Sequence, residues 1–244
     1  MLKWFTSRKK SLERISFSVI NTDIHSHFIP GIDDGAPDIE TSILLIKKMQ
    51  RLGYKKIITS PHIMSDFYQN SNEDIIKGLN EVRKELKFQS INIEIDAVAE
   101  YYIDFEFERK IGKEKFLTFG DNYLLVELSF IEAPKHFYDI IFKLQLEGYK
   151  VVLAHPERYS YYSIDDYKEL VKRGVFLQIN LLSLIGYYSS KIQKKTEILI
   201  KKGFVSFVGS DCHNIKHAEL YEKCQCQESW HNLVNSNKLL NHTL

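Results

Sequence analysis

Four glycines do most to set what this chain can fold into. Gly53-Tyr54, Gly148-Tyr149, Gly174-Val175 and Gly203-Phe204 each close a stretch with helical apolar spacing and open a short β-branched run. Glycine accepts the left-handed conformation that ends a helix, so each pair marks a helix stop followed by a strand start. The strand candidates are 15–25, 56–60, 91–99, 123–128, 151–154, 175–180 and 204–209. Most are too apolar for a sheet with one wet face, as expected of parallel strands covered by helices. Asp38 can cap a first helix whose apolar stripe is Ile39, Ile43, Ile46 and 49–52, and further helices are expected over 72–86, 135–147, 164–172 and 189–202. Seven strand–helix units joined by short turns, with no Pro/Ser/Gly-rich linker, predict one parallel α/β sheet closed into a barrel. The stretch 219–244 reads as a last helix and an irregular tail.

A length of 244 residues suits one such barrel. The expected division is a basic leader over 1–20 and a single domain over 21–244. Leu2, Trp4 and Phe5 beside Arg8, Lys9 and Lys10 allow weak peripheral contact with a membrane, although a solvated leader is the simpler reading. No apolar run is long enough for a membrane span. A net charge of +1 gives no pull toward nucleic acid. Cys212, Cys224 and Cys226 are too few and too clustered for a disulfide framework, which favours the cytoplasm.

Polar residues fall where the strands end. His25 and His27 close the first strand on one face, because strand side chains alternate with period two. Asp34 lies in the loop beyond, His62 follows the second strand, Glu100 the third, Glu127 the fourth and His155 the fifth; Asp211 and His213 follow the seventh. In a parallel barrel these positions meet at the C-terminal face. Five imidazoles and four carboxylates exceed the roughly four ligands that one zinc ion takes, and suit two or three divalent ions with shared carboxylates. His136, His217, His231 and His242 fall outside this pattern and read as surface residues, His217 being the least clear.

The segments Asp23-Ile24-His25-Ser26-His27, Gly31-Ile32-Asp33-Asp34-Gly35, Ser60-Pro61-His62, Ala99-Glu100-Tyr101-Tyr102, Val126-Glu127-Leu128, Ala154-His155-Pro156-Glu157-Arg158-Tyr159 and Ser210-Asp211-Cys212-His213-Asn214 together resemble the polymerase-and-histidinol-phosphatase (PHP) superfamily. More narrowly, they resemble its bacterial tyrosine-protein phosphatases of capsule and exopolysaccharide synthesis. The resemblance implies a distorted seven-stranded TIM-like barrel holding three metal ions, most often manganese, with iron, cobalt and zinc also compatible with these donors. It implies that His25, His27, Glu100 and Asp211 hold one ion. Glu100 bridges to a second, held with Glu127 and His155, and Asp34, His62 and His213 hold the third. The implied reaction is hydrolysis of phosphotyrosine by a metal-bridging hydroxide on the tail of a membrane-bound tyrosine autokinase. Three divalent ions against four carboxylates and one hydroxide leave a small positive charge for a phosphate dianion.

Arg158, three residues after His155, is placed to clamp the phosphate with its planar fork. Tyr102 and Tyr159 are expected to contact substrate, among mouth aromatics that also include Phe67, Tyr68, Tyr101, Phe130, Tyr161 and Tyr162. No residue stands out as a general acid. The covalent cysteine route needs an arginine six residues after the cysteine, and those positions hold Ala218, Trp230 and Asn232. The chain departs from many relatives after Asn214, where an Arg-Pro segment is replaced by Ile215-Lys216-His217-Ala218-Glu219; Lys216 or His217 then becomes the candidate for substrate grip on that side. The alternatives are a small-molecule phosphomonoesterase on the same scaffold, such as a histidinol-phosphate phosphatase, and a non-catalytic binding module.

Overall fold

A computed structural model describes residues 12–244. The membrane-contact residues expected within 1–10 lie outside the described residues. Nine strands pair only in parallel: β1 (Thr22–Asp23), β2 (Lys56–Thr59) and β4 (Glu94–Ala97) form one sheet in the order β1-β2-β4. β3 (His62–Ile63), β5 (Glu100–Tyr102), β6 (Tyr123–Glu127), β7 (Lys150–Ala154), β8 (Phe176–Asn180) and β9 (Val205–Gly209) form the second, in the order β3-β5-β6-β7-β8-β9.

Two tracks run past the strands expected over 56–60 and 91–99 and carry a second short strand after a break. The second stops at Thr59 and resumes at His62 because Pro61 has no N–H to give a ladder; the third breaks at Val98-Ala99. The tracks stay in contact across the gap, with Val98 N–H donating to Thr59 O (2.9 Å) and Glu100 N–H to Pro61 O (3.0 Å). The first expected strand shrinks to Thr22–Asp23. Ser16 caps a 3-10 turn over Phe17–Val19, and Asn21 turns the chain at φ 58°. Beyond β1 the backbone runs on between its neighbours: Asp211 N–H donates to His25 O (2.7 Å), His27 N–H to Cys212 O (3.0 Å) and Ser60 N–H to Ser26 O (2.7 Å).

The helices follow the caps. α1 (Ile39–Leu52) starts where Asp38 accepts from Thr41 N–H and ends at left-handed Gly53. α2 (Asn72–Phe88) and α5 (Ile164–Lys172) open on capping boxes, Ser71 with Asp74 and Ser163 with Asp166, each satisfying two end groups reciprocally. α4 (Phe137–Leu146) and α6 (Ser190–Lys202) fall within their expected spans. The short α3 (Phe105–Lys110), capped by Asp104, was not anticipated. Instead of one last helix and a loose tail, the C-terminal stretch forms α7 (Ile215–Cys224), α8 (Glu228–Asn235) and a 3-10 turn at Asn241–Thr243. Buried Asn241 donates to Thr22 O (3.0 Å) and Val208 O (2.8 Å) and accepts from Val208 N–H (3.0 Å), joining β1 to β9.

Residues 15–20, assigned from sequence to the leader, belong to the folded body. Phe17 is fully buried, stacked on Tyr54 at 5.3 Å and edge-on to Trp230 at 5.1 Å, and the Trp230 indole donates to Ile15 O at 2.9 Å. The larger apolar core lies between strands and helices. A smaller one gathers Ile24, Ile58, Val98, Leu125, Val152, Ala154 and Phe207 from successive strand tracks, closed by Phe119. No helix among the described residues is long and apolar enough to cross a membrane.

Candidate metal centre

Alternation along the first track turns His25 and His27 to the same side, and both are fully buried. Between them and the other strand ends stands Glu100, also fully buried. Its Oε2 lies 3.1 Å from His25 Nε2, 3.1 Å from His62 Nδ1 and 3.7 Å from His27 Nε2, while Oε1 is 2.9 Å from His155 Nε2. Glu127 approaches the same group, with oxygens 3.4 Å from His155 Nε2 and 3.7 Å from His62 Nδ1. Asp211 Oδ1 sits 3.5 Å from His25 Nε2 and 3.4 Å from both His27 Nε2 and His213 Nδ1. Asp34 Oδ1 lies 3.6 Å from His62 Nε2 and 3.5 Å from His213 Nε2. All nine predicted ligands are thus brought to one place.

A site built for a divalent cation leaves buried donor atoms without hydrogen-bond partners from the protein. Among the described residues these include His25 Nε2, His27 Nε2, His62 Nδ1 and Glu100 Oε2. Unpartnered buried nitrogens and oxygens carry a desolvation cost of roughly 1–3 kcal/mol each, so their convergence fits a bound cation. Three overlapping groups have donor atoms within 4.8 Å of one another: His27, Asp34, His62 and His213; His25, His27 and Glu100; and His62, Glu100 and Glu127. The first contains the implied set Asp34, His62 and His213 and adds His27. The second lacks the implied Asp211, and the third has His62 where His155 was implied.

Backbone and charge point the same way. His155 (φ 33°) and Asp211 (φ 53°) occupy the left-handed region, which costs a residue with a Cβ about 1–2 kcal/mol and is concentrated at functional sites. Burial would raise the Glu100 carboxyl, but the His25 and His62 imidazoles outweigh it and hold the group well below the usual range. Glu127 goes the other way: burial, reinforced by the charge on Glu100, pushes it well up. Asp34 is lowered to about 2, chiefly by its hydrogen bond to His213, and burial with the Arg158 charge lowers His155 to about 4. A neutral His155 keeps a lone pair for a metal.

The cavity above these groups has a volume of about 330 Å³ and is lined by six of the nine together with Phe130, Arg158, Tyr188, Asn214 and His217. Arg158 is sandwiched, its guanidinium carbon 4.4 Å from the Phe130 ring centre and 4.7 Å from that of Tyr188, with Nη1 3.3 Å from Asp211 Oδ2. Its fork therefore enters the cavity already oriented.

Several expectations change. Tyr159 does not reach the cavity: it is fully buried, and its hydroxyl accepts from Leu128 N–H at 3.0 Å, supporting the end of β6 from below. Tyr101 is also buried, and Tyr161 donates to Ser129 O under a loop. Tyr102 is half-buried and lines a separate cavity of about 670 Å³, with Ile63 and Phe107 among its other walls. Tyr68 stacks on His62 at 5.4 Å. His217 is not a surface residue but part of the metal-side cavity wall, its Nδ1 accepting from His213 N–H at 3.4 Å. His136 and His242 are exposed, and half-buried His231 donates to Glu13 O. The Cys212 thiol is buried and pushed up by desolvation, which suits a packing residue rather than a nucleophile.

Sequence reasoning passed over Asp33. Its Oδ2 is 2.8 Å from His27 Nδ1 and accepts from His62 N–H at 3.2 Å, while Oδ1 accepts from Gly35 N–H. The signal was a second acid beside Asp34. It also passed over Gln178 and Asn180, whose signal was two amides at alternate positions of an otherwise apolar strand.

Residues 21–230 match the family described as "Capsular polysaccharide synthesis, CpsB/CapC". The chain belongs to the CpsB/CapC family. Its relatives include the tyrosine-protein phosphatase YwqE of Bacillus subtilis, 32% identical over 197 residues that cover 80% of this chain and 78% of YwqE. They also include the tyrosine-protein phosphatase CpsB of Streptococcus pneumoniae, 27% identical over 201 residues, 79% of this chain and 83% of CpsB. Among solved structures, a study of YwqE and CpsB as metal-dependent tyrosine phosphatases gives a match with a TM-score of 0.79 at 27% identity, over 91% of this chain and 94% of the other. A lactonase from Listeria monocytogenes shares the fold, with a TM-score of 0.51 at 14% identity over 91% and 88% of the two chains. This CpsB/CapC chain is thus a mixed α/β protein of parallel sheets with candidate metal-binding groups, as the PHP resemblance implied.

Proposed function

We propose that this CpsB/CapC chain is a metal-dependent protein-tyrosine phosphatase whose substrate is a phosphotyrosine-bearing tail of a tyrosine autokinase controlling capsule or exopolysaccharide export. The observation that carries the reading is the buried Glu100 carboxylate with three unpartnered imidazole nitrogens around it, His25 Nε2, His27 Nε2 and His62 Nδ1, in a chain whose relatives are tyrosine phosphatases. The nine residues His25, His27, Asp34, His62, Glu100, Glu127, His155, Asp211 and His213 would hold three divalent ions, with manganese the first candidate, in the grouping implied above. When bound, such ions supply a hydroxide at neutral pH and neutralise the charge of the phosphoryl group.

The chain's own residues do the rest. Arg158 grips two phosphoryl oxygens with a fork that Phe130 and Tyr188 keep from turning away. Asp34 and His213 form the opposite rim, and His217 beside them offers a further hydrogen-bond donor. A phenolate is a good leaving group, so the lack of an obvious proton donor is no obstacle.

Two finer readings accompany this one. The single domain is a distorted seven-track barrel, supported by the hydrogen bonds from the first track to Asp211 and Cys212 and by an inner core drawn from successive tracks. Its place is the cytoplasm, a compartment that suits the free Cys212, Cys224 and Cys226. Purified protein should turn over a phosphotyrosine peptide with manganese and stop with excess chelator. Equal rates in both conditions, or no turnover with any of manganese, iron, cobalt or zinc, would sink the reading; faster turnover of histidinol phosphate would redirect it.

A further inference from the structure

Six of the seven strand tracks bear the proposed ligands. The remaining one, β8, bears none, yet its inner face is occupied by two amides. Gln178 and Asn180 stand two residues apart, so both side chains project to one side of the strand, and both are fully buried. Buried amides are retained when their donors and acceptors are matched, and here the matching runs in one direction. His25 Nδ1 lies 2.8 Å from Gln178 Oε1. Gln178 Nε2 donates to Asn180 Oδ1 at 2.9 Å and to Ile179 O at 2.8 Å. Asn180 Nδ2 donates to Asp211 Oδ2 at 2.5 Å.

The direction follows from Asp211. A carboxylate only accepts, so Asn180 must present its NH₂ to Asp211 and its oxygen to Gln178. Gln178 must then present its NH₂ to Asn180 and its oxygen to His25. An amide oxygen also only accepts, so the proton on the His25 ring belongs on Nδ1. The lone pair is thereby placed on Nε2, the atom 3.1 Å from Glu100 Oε2. At the other end, Asp211 Oδ2 is engaged by Asn180 and by Arg158 Nη1, leaving Oδ1 toward His25 and His27.

We propose that Gln178 and Asn180 are positioning residues, an amide relay that lets the charge of Asp211 fix the His25 tautomer and presents His25 Nε2 and Asp211 Oδ1 together to one cation. The inference rests on the metal-centre reading. It gives the two histidines different backing: His27 Nδ1 meets the Asp33 carboxylate, whereas His25 Nδ1 meets a neutral amide. Partners one step removed from a metal typically change its affinity 10–100-fold.

The relay predicts that adding charge weakens the site. In Gln178→Glu the new carboxylate cannot donate to Asn180, and if Asn180 turns to satisfy it, its oxygen faces Asp211. In Asn180→Asp two carboxylates face each other. Manganese affinity, measured by competition with a chromophoric chelator on the full chain, should fall about 10–100-fold for one ion in each variant and stay unchanged for the others. The thermal unfolding midpoint of the metal-free variants reports whether they remain folded. Independently of any variant, long-range ¹H–¹⁵N spectra of the metal-free protein, recorded where the ring is neutral, should show His25 protonated at Nδ1. An Nε2-protonated His25, or folded variants that bind manganese as the parent does, would overturn the relay. A parent protein that binds no manganese would instead overturn the metal reading, and the tautomer spectrum would still decide the relay.

Discussion

Two cavities open side by side on this molecule, and the smaller is the one with the chemistry. β3 and β5 serve both: His62 lines the metal-side cavity of about 330 Å³ and buried Glu100 lies 3.1 Å from His62 Nδ1, while Ile63, Tyr101 and Tyr102 line the neighbouring one of about 670 Å³. The larger space has aromatic walls, and among its charged groups Lys110 pairs with Glu114 and Asp104 caps α3. The smaller has left-handed backbone at two ligands, shifted carboxyls and buried atoms without partners. Volume reports where a molecule fits; unmet polar demand reports where a reaction is arranged.

The contrast can be broken at four points. Glu100→Gln removes the carboxylate shared by the imidazoles and should lower phosphotyrosine turnover by at least ~10³-fold, with loss of bound manganese by elemental analysis. Arg158→Lys keeps the charge but loses the fork and should lower kcat/KM about 10²-fold with metal content unchanged. Tyr102→Ala acts in the larger cavity and should raise KM for an extended phosphopeptide only a few-fold, roughly 1 kcal/mol or less. An equal effect on a small aryl phosphate would mean that the two cavities are not distinct in function. Tyr159→Phe deletes the hydroxyl that accepts from Leu128 N–H. It should cost about 1–2 kcal/mol in urea unfolding while leaving turnover per folded molecule intact.

The convergence of the nine candidate ligands was legible because most of them end or follow an apolar strand, where a lone acid or imidazole has no packing role. α5 was legible to the residue because Ser163 and Asp166 announce its start and Gly174 closes the turn that follows. β3 and β5 were not, since two- and three-residue strands have no period to read. Between Asp33 and Asp34 the sequence offers no way to tell the acid that faces His62 and His213 from the one behind His27. Tyr159 misled for a related reason: a tyrosine beside an expected ligand reads as a substrate contact until the fold turns it inward. Phe17 looked like leader because its partner Trp230 lies more than 200 positions away, and no local pattern reports such a contact.

The side chain of Asn241 gives the protein a schedule. It bridges Thr22 and Val208, positions that are 219 and 33 residues upstream. During synthesis at roughly 5–20 residues per second, Thr22 waits on the order of ten seconds or more for that bridge. The corner made by His25, His27, Asp211 and His213 lies on the same seam between β1 and β9, so it comes together only after the chain has been made past residue 241. A nascent chain would thus expose its histidines well before it could arrange them, and a cation captured early would find only part of its final company.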